Sequence, residues 1–312
     1  MTAPIATVTL NPAIDQTIEV PNFQPNAVNR SSGWQDDAGG KGVNVASFLA
    51  TVGHQISVTG FLGRDNATPF DRLFLEKGIA DHFIRLPGAT RVNLKLVDDV
   101  QNQVTDINAP GLVPGAAAIS QLRQTVTSLA KTCGWFILSG SVPTGVADSL
   151  YAELIRDLKA LGKTVVLDTS GAPLTQGLAA KPDLIKPNQR ELEDYLHTRL
   201  SSWDEIVAAA RELIASGIPH VVVSLGAEGA IFVDQDRAVH AQPPEIAVKS
   251  TVGAGDAMVA GTVAGLISGQ SLRDSAALAT AFSMAALAQI GPRLPPIDDI
   301  RKLRDRVTVQ RL

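Results

Sequence analysis

Short apolar, β-branched runs recur along the chain, separated by longer segments whose apolar positions return at helical spacing. The runs at residues 5–10, 56–62, 135–139, 164–168, 184–186 and 220–225 are each bounded by glycine, proline or polar residues, and they predict central strands. Residues 42–52, 118–131, 146–161 and 206–216 predict helices between them, with Leu150, Leu154 and Leu158 on one helical face. Strand and helix alternate through most of the chain. That rhythm predicts an α/β fold with a mainly parallel central sheet flanked by helices on both faces, and ligands gathered where loops leave the carboxyl ends of the strands.

Two segments break the rhythm. Residues 14–34 and 92–108 alternate apolar and polar positions with no helix between, which predicts small antiparallel strands outside the main sheet, either a lid or a pair of edge hairpins. Residues 245–248 read as a further strand and 257–267 as a helix of small residues. Residues 275–292 are too weakly apolar for a membrane span and predict a buried helix instead. The basic residues Arg301, Lys302, Arg304, Arg306 and Arg311 read as a solvated helical face rather than a nucleic-acid arm.

Composition narrows the function classes. With 312 residues, 45% hydrophobic and 19% charged, the chain has ample material for a core, and its length allows one large domain or two ordinary ones. A net charge of -4 gives no bulk attraction to nucleic acid or an anionic membrane, so an anionic ligand must be met locally. The lone Cys133 has no internal disulfide partner and the first ten residues carry no basic leader, which fits a cytoplasmic location. The five histidines are scattered, with no H-E-x-x-H and no cysteine pairs, so most read as surface or helix-end residues rather than zinc ligands. No P-loop, G-x-G-x-x-G or G-x-S-x-G motif is present.

The candidate chemistry sits in glycine turns and at strand ends. Residues 250–257 read Ser-Thr-Val-Gly-Ala-Gly-Asp-Ala at a helix start, where Gly253 and Gly255 let the backbone approach a ligand and free amides can hold phosphate oxygens. Asp256 is costly beside such an anion site unless it accepts a proton from an attacking hydroxyl; the alternative is a capping aspartate. Gly39, Gly40, Lys41 and Asn44 form a second glycine turn that enters a helix, and Asp15 follows the first strand where it can accept from hydroxyls. Ser139, the segment from Lys186 through Asn188 to Glu191, and the segment from Ser224 through Gly226 and Glu228 to Gly229 all follow expected strands, and so face one crevice.

In this order, from Asn11 to about Gly291, these motifs resemble the ribokinase-like (PfkB) carbohydrate kinases. The resemblance implies a single domain spanning 1–312 with a small β lid, and transfer of the γ-phosphoryl of ATP to a hydroxyl of a phosphorylated ketose. Residues 90–95 and 104–108 resemble the family members that act at C6 of fructose 1-phosphate, while members acting on fructose 6-phosphate or tagatose 6-phosphate share the glycine motifs. By the same resemblance Asp256 is the base, and the turn Gly253, Ala254, Gly255 stabilises the phosphoryl group in flight. Asp15, Gly39, Gly40 and Asn44 would hold sugar hydroxyls, with Lys41 and Arg91 near the substrate phosphate, Ser139 lining the pocket and Lys95 a further cation. Lys186, Asn188, Ser224, Gly226, Glu228, Gly229, Thr251, Val252 and the following turn would meet the nucleotide. Asn188 and Glu191 match the N-x-x-E pattern that positions Mg²⁺, here through water. The resemblance also implies lid closure over the substrate and a homodimer through the lid, with Arg30 either a contact to the neighbouring subunit's substrate or a solvated strand residue. A sugar-phosphate sensor that has lost transfer is the alternative from another class.

Overall fold

Strands that are apolar on both faces need cover on both faces, and the computed structural model, which describes residues 4–101 and 103–312, is built around that need. Residues 1–3, part of the stretch read as carrying no leader, and Asn102 of the second lid segment lie outside the described residues. The first part of the chain forms β1 (Ile5–Thr9), β2 (Ala13–Glu19), β3 (Gly33–Gly39), α1 (Lys41–Thr51), β4 (Ile56–Gly63), α2 (Thr68–Lys77), β5 (Ala80–Asp81), β6 (Ile84–Leu86), β7 (Val92–Asp98) and β8 (Gln103–Ile107). The middle adds α3 (Ala116–Leu129), β9 (Trp135–Ser139), α4 (Leu150–Ala160), β10 (Thr164–Asp168), α5 (Gly171–Ala179), β11 (Leu184–Ile185), α6 (Gln189–Leu196), α7 (Trp203–Ala215) and β12 (His220–Ser224). The last part is β13 (Ala230–Val233), β14 (Ala238–Gln242), α8 (Ala254–Ile267), α9 (Leu272–Leu287), α10 (Ile297–Arg304) and β15 (Thr308–Arg311).

The main sheet runs β15-β14-β13-β12-β11-β10-β9-β1-β4-β5, parallel from β12 to β5 and antiparallel from β12 to β15. Alternate residues of each central strand feed two separate cores. Ile5, Val58, Ile137, Val166 and Val222 pack with α1, α8 and α9, whereas Val8, Phe136, Leu138, Leu167 and Val221 pack with α3, α4 and α7. The chain leaves β1 towards β4 in one direction and later returns to lay β9 on its other side. Loops from β1 and β9 therefore diverge and open a crevice between them.

The second sheet has the order β3-β2-β7-β8 and stands apart from the main one, as a lid would. Its outer pairs are antiparallel as expected, but β2 and β7 pair in parallel, because β1 and the β6–β7 connection deliver both strands from the same side. The lid also reaches beyond residue 34: β3 ends at Gly39 and runs almost directly into α1. Gln35, Asp36 and Asp37 gave that strand no apolar alternation to read.

Other differences have simple causes. Residues 245–248 form no strand, since Pro243 and Pro244 remove two backbone donors; Lys249 and Ser250 instead donate to the Leu287 carbonyl. The basic C-terminal stretch is a helix only to Arg304, after which β15 pairs with β14 and buries Val309. Helix α9 ends at Leu287. No helix among the described residues is long and apolar enough to cross a membrane.

Helices α8 and α9 lie against each other through small residues. A methyl at Gly261 would stand 2.6 Å from the Ala279 Cα and 3.0 Å from the Phe282 ring, so the two backbones would have to separate. Gly261→Ala is expected to lower unfolding free energy by about 1–3 kcal/mol in denaturant titration, against about 1 kcal/mol or less for Gly115→Ala at an open helix start.

Candidate active site

Elements that are distant in sequence meet at the carboxyl ends of β1, β9 and β10. They line a pocket of about 260 Å³, to which the lid contributes Asp15, Arg91 and Asn93, the start of α1 Lys41 and Asn44, and the start of α8 Gly253 and Asp256. Gly140, Ser141, Thr169 and Ser170 close its floor.

Gly253 takes φ +78 as the N-cap of α8, and no side chain caps the helix. The first amides of α8 consequently point outward without an intrahelical partner, a ready anion site aided by the helix dipole. Asp256 sits in that first turn, 7% exposed, and accepts a hydrogen bond at Oδ2 from Asn44 Nδ2 at 2.7 Å. Burial pushes its carboxyl up to about 6, with the negative Asp168 adding to the rise while Lys41, Asn44 and Lys186 oppose it. The bond from Asn44 is not that of a helix cap: Asp256 lies inside the helix, so the capping alternative fails on position. Asn44 Oδ1 is buried with no protein partner among the described residues, leaving an acceptor beside the carboxylate.

The centre of charge is a residue that the motif reading did not single out. Asp168 ends β10 at 1% exposure, 3.4 Å from Lys41 Nζ through Oδ2 and 3.4 Å from Lys186 Nζ through Oδ1. Burial alone would raise its carboxyl, but the two ammonium groups outweigh that and hold it below the ordinary carboxylate range. Lys41 is correspondingly held charged, chiefly by Asp168. Ser139, expected to line the pocket, is the fully buried last residue of β9 and donates to Asp168 Oδ2 at 3.3 Å, while Gly140 and Ser141, just past the strand end, line the pocket. The available signal was a carboxylate terminating an otherwise apolar strand.

On the lid, burial raises the Asp15 carboxyl while Asn93, donating from Nδ2 at 3.0 Å, and Arg91 work against it. Gly39 is what admits Asp15: a Cβ there would occupy the position of the carboxylate oxygen. Arg91 lines the pocket as expected, yet Nε, Nη1 and Nη2 donate to the carbonyls of Pro12, Ala109 and Asn11 at 3.2, 3.3 and 2.9 Å. Those bonds fix the guanidinium and leave two of its five N–H groups for a ligand. Lys95 pairs with Asp106 across β7 and β8 at 2.6 Å, and Arg30 lies exposed in the β2–β3 connection.

The expected nucleotide residues gather beside this pocket. Lys186 reaches α8, its Nζ 3.5 Å from where a Gly255 Cβ would stand. Asn188 bridges to Ser224, and with Glu191 it forms a reciprocal capping box: Asn188 Oδ1 accepts from the Glu191 amide at 2.8 Å, and Glu191 Oε2 accepts from the Asn188 amide at 2.9 Å. Gly226 and Glu228 form a single 3₁₀ turn that ends at Gly229, while Thr251 and Val252 lead into α8. His240 departs from the surface reading of the histidines, since it is 1% exposed and its Nε2 bonds the Glu228 carbonyl at 2.7 Å, holding this turn from below.

Comparison with known proteins bears on this arrangement as a whole. The chain is 50% identical to the 1-phosphofructokinase of Rhodobacter capsulatus, covering 100% of this chain and 99% of that protein. It is 49% identical to the 1-phosphofructokinase of Xanthomonas campestris pv. campestris over 90% of each. A crystal structure of phosphofructokinase-2 from Escherichia coli in complex with substrates and products superposes with a TM-score of 0.91 at 29% identity, over 97% of this chain and 98% of that one. The pfkB family carbohydrate kinase model matches residues 8–299, which takes in the lid, both glycine turns and every strand end described above, and the chain therefore belongs to that family.

Proposed function

We propose that this chain transfers the γ-phosphoryl of ATP to the C6 hydroxyl of D-fructose 1-phosphate, giving fructose 1,6-bisphosphate. The observation that carries the reading is Asp256, a buried carboxylate with proton affinity near neutrality, set among free helix amides in a pocket of hydroxyl-binding groups. The full-length likeness to two 1-phosphofructokinases supports the choice of substrate.

In this reading Asp15, Asn93 and the Gly39–Gly40 turn hold the sugar hydroxyls, and the free N–H groups of Arg91 take the substrate phosphate. Asn44 orients Asp256 towards the C6 hydroxyl, whose proton Asp256 accepts as the oxygen attacks phosphorus. The amides of Ala254, Gly255 and Asp256 hold the charge on the phosphoryl group in flight, with Lys41 and Lys186 on its flanks. Ser224, the Gly226–Gly229 turn and the Thr251–Val252 approach to α8 receive the nucleotide. The donors at Asn188 and Glu191 are oxygens, suited to a hard cation; the capping box uses Asn188 Oδ1 and Glu191 Oε2, so Glu191 Oε1 would hold Mg²⁺ through a coordinated water. Bound there, Mg²⁺ supplies neutralisation of the phosphate oxygens. Lid closure excludes water from the transfer. The lid face opposite Asp15 carries Ile18, Leu96 and the 70% exposed Trp34, which supports a homodimer through the lid.

Three outcomes test the reading. Asp256→Asn is expected to lower kcat by about 10²- to 10⁴-fold with small changes in KM. The wild-type kcat/KM should rise with pH up to about 6 and then level, as Asp256 loses its proton, and Asp168→Asn should move that acid limb to lower pH by removing a negative neighbour. ADP release measured in parallel with fructose 1-phosphate, fructose 6-phosphate and tagatose 6-phosphate should give a large kcat/KM preference for the first. Preference for either 6-phosphate overturns the substrate, and tight binding without turnover would leave a sensor.

A further inference from the structure

Asn44 also lines a second cleft, of about 590 Å³, with Asp37 of β3 on one wall and Pro292 and Arg293 on another. One ion pair joins these walls across 256 residues of sequence: Arg293 Nη2 donates to Asp37 Oδ1, and Nη1 reaches Asp37 Oδ2 at 3.4 Å. The Arg293 side chain is half exposed, but the carboxylate it meets is only 10% exposed and also accepts from Gln35 Nε2 at 2.6 Å, so the pair is anchored on a buried acceptor.

Both ends of this pair lead to the proposed transfer site. Asp37 stands two residues before Gly39, the glycine that admits Asp15. Arg293 Nη1 also donates to the Ile290 carbonyl at 2.7 Å, closing a turn through Gly291 at φ +76. A side chain at Gly291 would fall on the Arg293 guanidinium and the Asp37 carboxylate, so the turn has room only for glycine while the pair is made. Pro292, inside the same turn, lies 3.3 Å from where a Gly253 Cβ would stand, directly behind the N-cap of α8. The chain thus leads from the sugar-side turn of the lid to Asp37, across the ion pair to Arg293, and through the turn at Pro292 to the back of Gly253, just ahead of the amides that would receive the phosphoryl group.

We propose that Asp37 and Arg293 form a positioning latch that couples the lid strand β3 to the phosphoryl-transfer turn at Gly253, so that engagement of the sugar and ordering of the α8 amides occur together. The latch rests on the functional reading above. Neither residue touches the reacting atoms; both act through Gly39 and Gly253.

The test combines steady-state kinetics with amide hydrogen exchange on Arg293→Met, Asp37→Asn and the double variant. Each single change is expected to raise KM for fructose 1-phosphate about 5- to 30-fold and to lower kcat, with KM for ATP moved about two-fold or less. The double variant should be no worse than the more damaging single one, because one interaction is lost in all three. Arg293→Lys keeps a charge without the fork, should recover part of kcat, and carries the test if a neutral variant does not fold. Without any substrate, amides at 33–39 and 253–256 should exchange faster together in each variant. Additive kinetic losses, unchanged kinetics in folded variants, or faster exchange at one segment alone would overturn the latch. The exchange measurement needs no sugar, so failure of the latch and failure of the substrate assignment remain distinguishable.

Discussion

A carboxylate ends the central strand β10 almost fully buried, and two lysines from different elements are drawn to it. Asp168 is 1% exposed, and an isolated charge at that depth would cost several kcal/mol, so the surroundings must answer it. Lys41 comes from the first turn of α1 and Lys186 from the end of β11, which fixes where α1 begins and how the chain leaves the sheet. Replacing one lysine leaves the other pair lopsided. The need to balance Asp168 therefore links the glycine turn before α1, the end of β11 and the floor of the pocket into one electrostatic unit.

Close backbone approach is the second constraint, and it determines where glycine stands. Gly39 leaves the space that the Asp15 carboxylate fills, and Gly253 adopts the left-handed N-cap conformation that turns the α8 amides outward. The lid strand β3 passes from the first of these directly into α1, with hardly a residue of slack. A displacement of β3 is consequently a displacement of Lys41, and so of the charge around Asp168. The position of β3 and the electrostatics of the site are therefore fixed together in this fold.

The alternation of strands and helices was legible because a doubly covered sheet demands apolar runs of strand length, and those at 135–139 and 164–168 coincide with β9 and β10. The lid was harder to read. Its strands are half exposed, so β3 could carry Gln35, Asp36 and Asp37 without penalty, and the parallel pairing of β2 with β7 depends on where distant connections enter. Pocket residues inside glycine motifs were legible because close backbone approach and left-handed turns demand glycine locally. Asp168 and Asn93 escaped for the opposite reason: each acts by contacting a residue far away in sequence, Asp168 through Lys41 and Asn93 through Asp15. Ser139 is still the last residue of β9 and is spent on Asp168, whereas the chain reaches the pocket wall only just past the strand end, at Gly140 and Ser141. The Asn188–Glu191 box illustrates a different limit: one spacing serves both a helix cap and a metal's water shell, and the local pattern is the same for each.

The balance around Asp256 explains how one carboxylate can serve as a base beside an anion site. Asp168 and Asp256 together oppose Lys41 and Lys186, so the buried group is near neutral only when Asp256 is ionised. Burial and Asp168 push its proton affinity up, the lysines pull it down, and the two tendencies leave it at about 6, where it is ionised at neutral pH yet still basic enough to take a proton. In the proposed transfer, a triphosphate brought alongside would add negative charge and draw on the same two lysines, raising the proton affinity of Asp256 further. Cationic compensation close to those phosphates would then keep Asp256 ionised, and it would act most strongly on the side of the pocket where Lys186 approaches Gly255 and Glu191 is near enough to influence Lys41.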